Sequence, residues 1–243
     1  MTSLSTATER GAAEEAERLS RLWWLVLPLV AAVILPLLSV HAPEIYTVYF
    51  ESEQGLLELS HIAIPAATCW LALRGLAMPE IGGRKWLTAW FALLAAGSLY
   101  IAGEEASWGQ QIFAWTTPEG WQAINDQNET NLHNISSWLD QKPRLLLELG
   151  VIVGGIVVPL LALARPGLRR IPFALLLPPL LCLPSAVLAE LFRLHERIGP
   201  SIGIGHGAFQ RASEVQELYF YLFILFYVIV LRRRIRAEAR QPA

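Results

Sequence analysis

Six apolar stretches of seventeen to twenty-three residues are the strongest constraint on how this chain folds. Each is long enough to cross about 30 Å of hydrocarbon as a helix that rises about 1.5 Å per residue. The chain is 54% hydrophobic and 16% charged, which excludes an ordinary soluble domain. The sequence therefore predicts an all-α polytopic membrane protein, a bundle of six transmembrane helices. The predicted spans are Leu22–Val40, Leu56–Met78, Trp86–Ala102, Leu145–Ala164, Ile171–Phe192 and Val215–Leu231.

Lys and Arg residues concentrate on one side of these spans. They lie before the first span, between the second and third, between the fourth and fifth, and after the sixth. The positive-inside rule makes those segments cytoplasmic, so both termini are predicted inside. The predicted parts are a cytoplasmic amphipathic segment 1–21, a membrane domain 22–231 with outer loops 41–55, 103–144 and 193–214, and a basic cytoplasmic tail 232–243.

Acidic residues concentrate on the opposite side. Under this topology fifteen acidic residues face five basic ones on the outer side. Counted at about 1.5 Å per residue, five helices each place a carboxylate roughly 22 to 30 Å from the nearest cytoplasmic basic residue. These residues are Glu58, Glu104, Glu148, Glu190 and Glu217. We expect them at the outer membrane interface, where buried carboxylates need a cation, a proton or a polar partner.

Helical spacing places several of these groups on shared faces. Residues three or four positions apart share one face of a helix. The sequence has three such sets: Glu58 with His61, Glu214 with Glu217 and Tyr221, and Glu104 with Trp108 and Gln111. The simplest interpretation is a ring of interfacial salt bridges to Arg144, Arg193, Arg197 and Arg211. Five outer basic residues are too few for fifteen acids, so we expect other partners for some carboxylates.

The stretch GEEASWGQQIF, residues 103–113, ends the third span with two adjacent carboxylates. A helix C-terminus disfavours negative charge, so Glu104 and Glu105 need a compensating positive group. A metal ion or the imidazolium of His61, His133 or His195 would supply it. Neighbouring helical residues point about 100° apart, so only one of the two glutamates faces a shared interior.

The longest connection, residues 116–142, is too polar to cross a membrane. Pro118 suits the start of a helix, and Trp121 and Trp138 suit the interface, so a short interfacial helix is predicted there. The second outer loop, 193–214, contains four glycines and is either a mobile lid or an ordinary connector. Glycines and prolines in the fourth and fifth spans favour close helix contacts and kinks that open a cavity.

One motif carries a family resemblance. Gly103-Glu104-Glu105 and Ser107-Trp108-Gly109-Gln110 are followed about twenty residues later by Asn131-Leu132-His133-Asn134. This combination resembles a family of uncharacterised bacterial multi-pass membrane proteins. The resemblance covers about thirty residues and implies a location in the bacterial inner (plasma) membrane, but no activity.

Three function classes follow from these residues. The leading hypothesis is a membrane-embedded enzyme with an outward-facing Glu/His site acting on a lipid or isoprenoid-linked substrate, with Zn, Mn or Fe as a candidate cofactor. The alternatives are a proton- or cation-coupled transporter and a non-catalytic membrane assembly factor. The candidate catalytic residues are Glu104, Glu105, His133, Glu190 and Glu217. The candidate substrate-binding residues are Trp108, Gln111, Asn131 and Tyr221. The candidate metal ligands are Glu58, His61, His195 and Glu214.

Overall fold

The computed structural model confirms the predicted all-α fold. It describes residues 18–52, 55–125, 129–132, 135–165, 167–168, 173–202, 209 and 211–240, and these contain no β-strand. Six segments of the described chain are long and apolar enough to cross a membrane. They are α1 (Leu22–His41), α2 (Leu56–Leu76), α3 (Lys85–Glu105), α4 (Gln141–Ala164), a fifth segment (Ala174–Ile198) and α6 (Ala212–Ala239).

The fifth segment is only partly a regular helix. Short 3-10 turns cover Ala174–Leu176 and Leu180–Cys182, and the α-helix, α5, covers Leu183–Ile198. Pro178 and Pro179 lie between the two turns. Proline lacks the backbone N–H of a helical hydrogen bond, so the chain stays irregular until it has passed them. This irregular entry becomes the floor of a cavity described below.

The sixth helix is the centre of the bundle. α6 runs for 28 residues and packs against α2 and α5. Two glycines let other helices approach closely. A Cβ atom at Gly75 of α2 would lie 2.3 Å from the ring of Phe91 on α3, and one at Gly155 of α4 would lie 2.4 Å from Cβ of Ala186 on α5. The close contacts predicted from small residues in the fourth span are therefore present at Gly155.

Wide helical turns precede two of the prolines. π-helical turns cover Leu22–Val26 before Pro28 and Ile152–Val157 before Pro159. A proline removes one hydrogen bond to the preceding turn, and a wide turn lets the freed carbonyl groups find other donors. The spans therefore accommodate their prolines without ending.

The connections contain more helix than the sequence predicts. Helical turns cover Pro43–Tyr46 and Thr47–Glu51 before α2. The predicted short helix in the long connection is present as Glu119–Gln122, directly after Pro118. Its position at a membrane interface stays a prediction. Helical residues also begin at Ser137, and α6 continues into the predicted tail as far as Ala239.

Candidate carboxylate and imidazole site

Three helices bring four carboxylates around one buried imidazole. α2 supplies Glu58 and His61, α3 supplies Glu105, and α6 supplies Glu214 and Glu217. The spacing of three residues on α2 and on α6 places each pair on one helix face. Two sets of three residues each have ligand atoms that all lie within 4.8 Å of one another. One set is Glu58, His61 and Glu214, and the other is His61, Glu105 and Glu217. We call these five residues the carboxylate cluster.

His61 is the centre of the cluster and is completely buried. Its Nε2 lies 3.0 Å from the backbone carbonyl oxygen of Glu214. A carbonyl oxygen only accepts hydrogen bonds, so Nε2 must carry the proton and donate it. In the neutral ring Nδ1 then has a free lone pair, and it has no hydrogen-bond partner among the described residues.

The unpartnered Nδ1 faces two carboxylate oxygens. Oε2 of Glu214 lies 3.7 Å from it, and Oε2 of Glu105 lies 3.8 Å from it. Both distances exceed the usual hydrogen-bond range of about 2.7 to 3.2 Å. Ligand atoms around a four-coordinate ion with bonds of about 2.1 Å are roughly 3.4 Å apart. The spacing therefore fits a cation between these atoms better than a hydrogen bond across the gap.

Two arginines pair with members of the cluster. Arg211 pairs with Glu214 at 3.0 Å and with Glu58 at 3.5 Å. Arg144 of α4 pairs with Glu217 at 3.2 Å. The salt bridges predicted for Arg144 and Arg211 are therefore present.

Tyr221 fixes the position of two cluster members. Its hydroxyl donates a 2.8 Å hydrogen bond to Oε1 of Glu105. Its ring packs edge-on against the imidazole of His61, with ring centroids 5.5 Å apart. A side chain that orients a ligand through a hydrogen bond is a common feature of metal sites. Tyr221 was predicted to bind substrate, and its contacts here are with the cluster.

Glu104 belongs to neither metal-ligand set of the described residues, and its hydrogen bonds go to Trp108 and to the long connection. Trp108 Nε1 donates to its Oε1 at 2.6 Å, and the backbone N–H of Leu132 donates to its Oε2 at 2.7 Å. The sequence predicted that only one of the two glutamates faces a shared interior. The glutamate that faces His61 is Glu105. The rotation of about 100° between neighbouring residues separates their contacts.

A second set of polar side chains surrounds Glu104. Ser107 donates to Glu129 at 3.0 Å, and Asn131 donates to the same Glu129 oxygen. Asn125 donates to both oxygens of Asn131, and Thr130 donates to the backbone of Ser107. We call this set the loop network. It comprises Glu104, Ser107, Gln110, Asn125, Glu129, Thr130 and Asn131.

The loop network holds a strained reversal of the chain. Ser107 and Trp108 have φ values of 46° and 52°, and Gly109 has a φ of 104°. Left-handed conformations at residues other than glycine cost of order 1–3 kcal/mol each and persist where surrounding contacts enforce them. The hydrogen bonds of Ser107 and Trp108 provide that enforcement.

A cavity of about 1000 Å³ extends from the cluster into the membrane-spanning region. Its polar end is lined by Glu58, Glu104, Glu105, Glu214 and Glu217. Gln111, and Glu129 of the long connection, also line it. Its other end is apolar and includes Leu94, Val153, Leu177, Phe223 and Ile224. A cavity with one polar and one apolar end suits an amphiphilic ligand.

Several predicted site residues lie elsewhere. In the part of the chain that the structure describes, Glu190 and His195 belong to neither metal-ligand set, and neither lines the cavity. Glu190 lies near Glu148, Arg193 and Arg197 in a separate group of charges. Trp108 and Asn131 make their contacts in the loop network. His133 lies outside the described residues.

Comparison of the chain with protein-family models, curated proteins and solved structures gives no match. The six segments of the described chain that are long and apolar enough to span a bilayer indicate an integral membrane protein.

Sequence reasoning missed most of the loop network. Glu129 and Thr130 meet Ser107 across about twenty residues of connection, and Asn125 meets Asn131 within it. Helical spacing carries no information on such contacts. The available signal was the motif itself, because Ser107, Gln110 and Asn131 all belong to the string that carries the family resemblance.

Proposed function

We propose that this protein is a membrane-embedded, metal-dependent enzyme that acts on an amphiphilic lipid or isoprenoid-linked substrate. The observation that carries the proposal is the lone pair of His61 Nδ1, which faces the carboxylates of Glu105 and Glu214. Three electron-rich atoms around one buried point are stabilised by a cation or a proton between them, and the distances of 3.7 and 3.8 Å favour the cation. One imidazole with several carboxylates suits Zn, Mn or Fe.

The chemistry follows from the position of the cluster at the polar end of the cavity. A divalent ion supplies Lewis acidity and activates a bound water as a nucleophile. The carboxylates beyond those needed as ligands are positioned to accept a proton, and Tyr221 holds Glu105 in place. The reaction class that fits these parts is hydrolysis or transfer at a polar headgroup.

Metal analysis of the purified protein tests this proposal. The full chain is purified in detergent without chelator, and Zn, Mn and Fe are measured per chain. We expect one ion per chain and at least about 100-fold weaker binding in His61→Gln, since loss even of a group that orients a ligand costs 10–100-fold. Gln retains an N–H that can donate to the Glu214 carbonyl, which favours survival of the fold.

His195→Gln is the matched control, because it removes an imidazole outside the cluster. Equal metal content in wild type and His61→Gln, with both variants folded by circular dichroism, would contradict the proposal. Loss of metal in His195→Gln alone would move the site to α5. For the catalytic part, lipid extracts of cells expressing wild type and His61→Gln are compared by mass spectrometry. A lipid that differs between them is the expected result.

The orientation of the cluster is part of the proposal. We propose that both termini are cytoplasmic and that the cluster faces the outer side of a bacterial inner membrane, as the Lys and Arg distribution predicts. Gly120→Cys and Gly167→Cys place thiols at exposed positions on opposite sides of the bundle. Both natural cysteines are buried, so they give little background.

In intact spheroplasts an impermeant thiol reagent should label Gly120→Cys at once and Gly167→Cys only after lysis. The reverse pattern would overturn the orientation and leave the metal site untouched.

A further inference from the structure

The cavity has a lateral opening between α3 and α4. Within the described residues, α3 packs on α2, and α4 packs on α5 and α6, but α3 and α4 do not pack along each other. Leu146 and Val153 of α4 line the cavity and are 73% and 53% exposed. Side chains that line a cavity and also face outward show that the cavity is open there. In a membrane-spanning bundle that opening faces lipid.

Two glycines mark the edges of the opening. Gly97 of α3 and Gly150 of α4 both line the cavity and are exposed. A Cβ atom built at either position meets no atom of the described residues within 4 Å. The contrast with Gly155, where a Cβ would clash with α5, shows that these two glycines are not explained by helix packing.

The length of the cavity matches one leaflet of a bilayer. Its lining on α3 runs from Glu105 to Trp90, which is about 22 Å at the helical rise. On α4 it runs from Arg144 to Val158, which is about 21 Å. Half of a bilayer with its headgroups is about 20 to 22 Å thick. The polar end of the cavity lies at headgroup depth, and the apolar end reaches the level of the bilayer centre.

At the apolar end of the cavity, the polar groups of the described Trp90 and Tyr227 side chains are bonded within the protein. Trp90 Nε1 donates to the Tyr227 hydroxyl at 2.8 Å, and that hydroxyl donates to the carbonyl of Leu176 at 3.0 Å. These donors are satisfied within the protein, so the floor presents hydrocarbon and aromatic surface. An alkyl chain is the occupant that such a surface accommodates without loss of hydrogen bonds.

We infer that the cavity binds one phospholipid of the leaflet on the cluster side, which enters sideways between α3 and α4. Its headgroup lies at the polar end of the cavity, where Arg144 and Arg211 beside the cluster face the anionic phosphate. One acyl chain lies along Gly97, Gly150 and Ile224 toward Leu177. That this lipid is the substrate rests on the proposed function. The binding itself is tested without reference to catalysis or metal.

Photocrosslinking in a defined bilayer tests the inference. The full chain is reconstituted in nanodiscs of phosphatidylglycerol and phosphatidylethanolamine that contain a phosphatidylglycerol with a diazirine near the end of one acyl chain. We expect crosslinks, mapped by peptide mass spectrometry, at cavity-floor residues such as Leu177 and Ile224. Labelling of lipid-facing residues on other helices gives the background level.

Leucine at the two glycines blocks the entrance. Gly97→Leu and Gly150→Leu should reduce floor labelling at least about tenfold and preserve the fold, because leucine is the better helix former and has open space. Ala96→Leu is the matched control. Ala96 is exposed on the same helix and does not line the cavity, so this change should leave floor labelling as in wild type.

Two results would overturn the inference. One is floor labelling no higher than background in wild type, or unchanged in both glycine variants. The other is rapid reaction of Ile224→Cys with an impermeant thiol reagent, which would make the cavity an aqueous vestibule. The two proposals are separable, because floor labelling that persists in His61→Gln supports the lipid site even if no metal binds.

Discussion

Glu104 and Glu105 are adjacent in the chain, yet they belong to two polar regions of opposite character. In the loop network, N–H groups of Trp108 and Leu132 donate to the two oxygens of Glu104. In the carboxylate cluster, an oxygen of Glu105 faces the lone pair of His61 Nδ1. A carboxylate that accepts from two donors stabilises a structure, whereas acceptors that face each other are stabilised by a cation or a proton between them. The contacts of Glu104 therefore hold the chain in place although Glu104 also lines the cavity, and the cluster is the candidate functional centre.

Glu105→Gln gives the largest expected difference between the regions. Gln keeps the shape of Glu105 and an oxygen that accepts the hydrogen bond from Tyr221, but it removes one charge. We expect metal affinity to fall at least about 100-fold, a loss of about 2.7 kcal/mol, with little loss of stability in metal-free protein. Isothermal titration of the metal-free variant, with Glu104→Gln as the matched control, measures this. Equal affinity in wild type and Glu105→Gln would remove Glu105 from the site.

Glu104→Gln gives the reverse pattern. The amide offers one oxygen to two donors, so either Trp108 Nε1–H or the Leu132 N–H faces an NH₂ group. We expect a loss of about 1–3 kcal/mol in the free energy of unfolding, because the buried side chain of Glu104 loses one of its hydrogen bonds. Denaturant unfolding in detergent micelles measures it, and metal affinity should stay as in wild type. A large loss of metal with unchanged stability would exchange the roles assigned to the two glutamates.

Trp108→Phe is the mildest test of the loop network. It deletes one donor to Glu104 and keeps an aromatic ring beside Gly103. Trp108 is 48% exposed, so water can replace the lost donor, and we expect a loss below about 1 kcal/mol. The same unfolding measurement applies. A loss larger than that of Glu104→Gln would show that the ring, rather than the hydrogen bond, holds the reversal at Ser107–Gly109.

The comparison also shows what the sequence could predict. The six spans were predictable because each needs only a long apolar run, and helical spacing correctly placed Glu58 with His61 and Glu214 with Glu217 on shared faces. Angles around the bundle were not predictable, because carboxylates at one height can point in any direction. Glu190 lies in the same predicted interfacial layer as Glu217 yet belongs to a different group of charges.

The choice between Glu104 and Glu105 required contacts distant in sequence. Leu132 lies twenty-eight residues beyond Glu104, and no local pattern indicates that its N–H caps that carboxylate. The irregular start of the fifth span was partly predictable from its prolines, but their consequence, a cavity floor beside Tyr227, depends on where α6 packs.

The division of roles at the end of α3 has a consequence for insertions and deletions. One extra residue upstream in α3 rotates everything after it by about 100° and advances it by about 1.5 Å. Glu104 would then take the direction now held by Glu105, and Trp108 and the strained turn would lose their register with Leu132. Every residue type would be retained and the cluster would still receive a carboxylate, yet the loop network would be broken. The length of α3 is therefore as much a part of the site as the identities of its two glutamates.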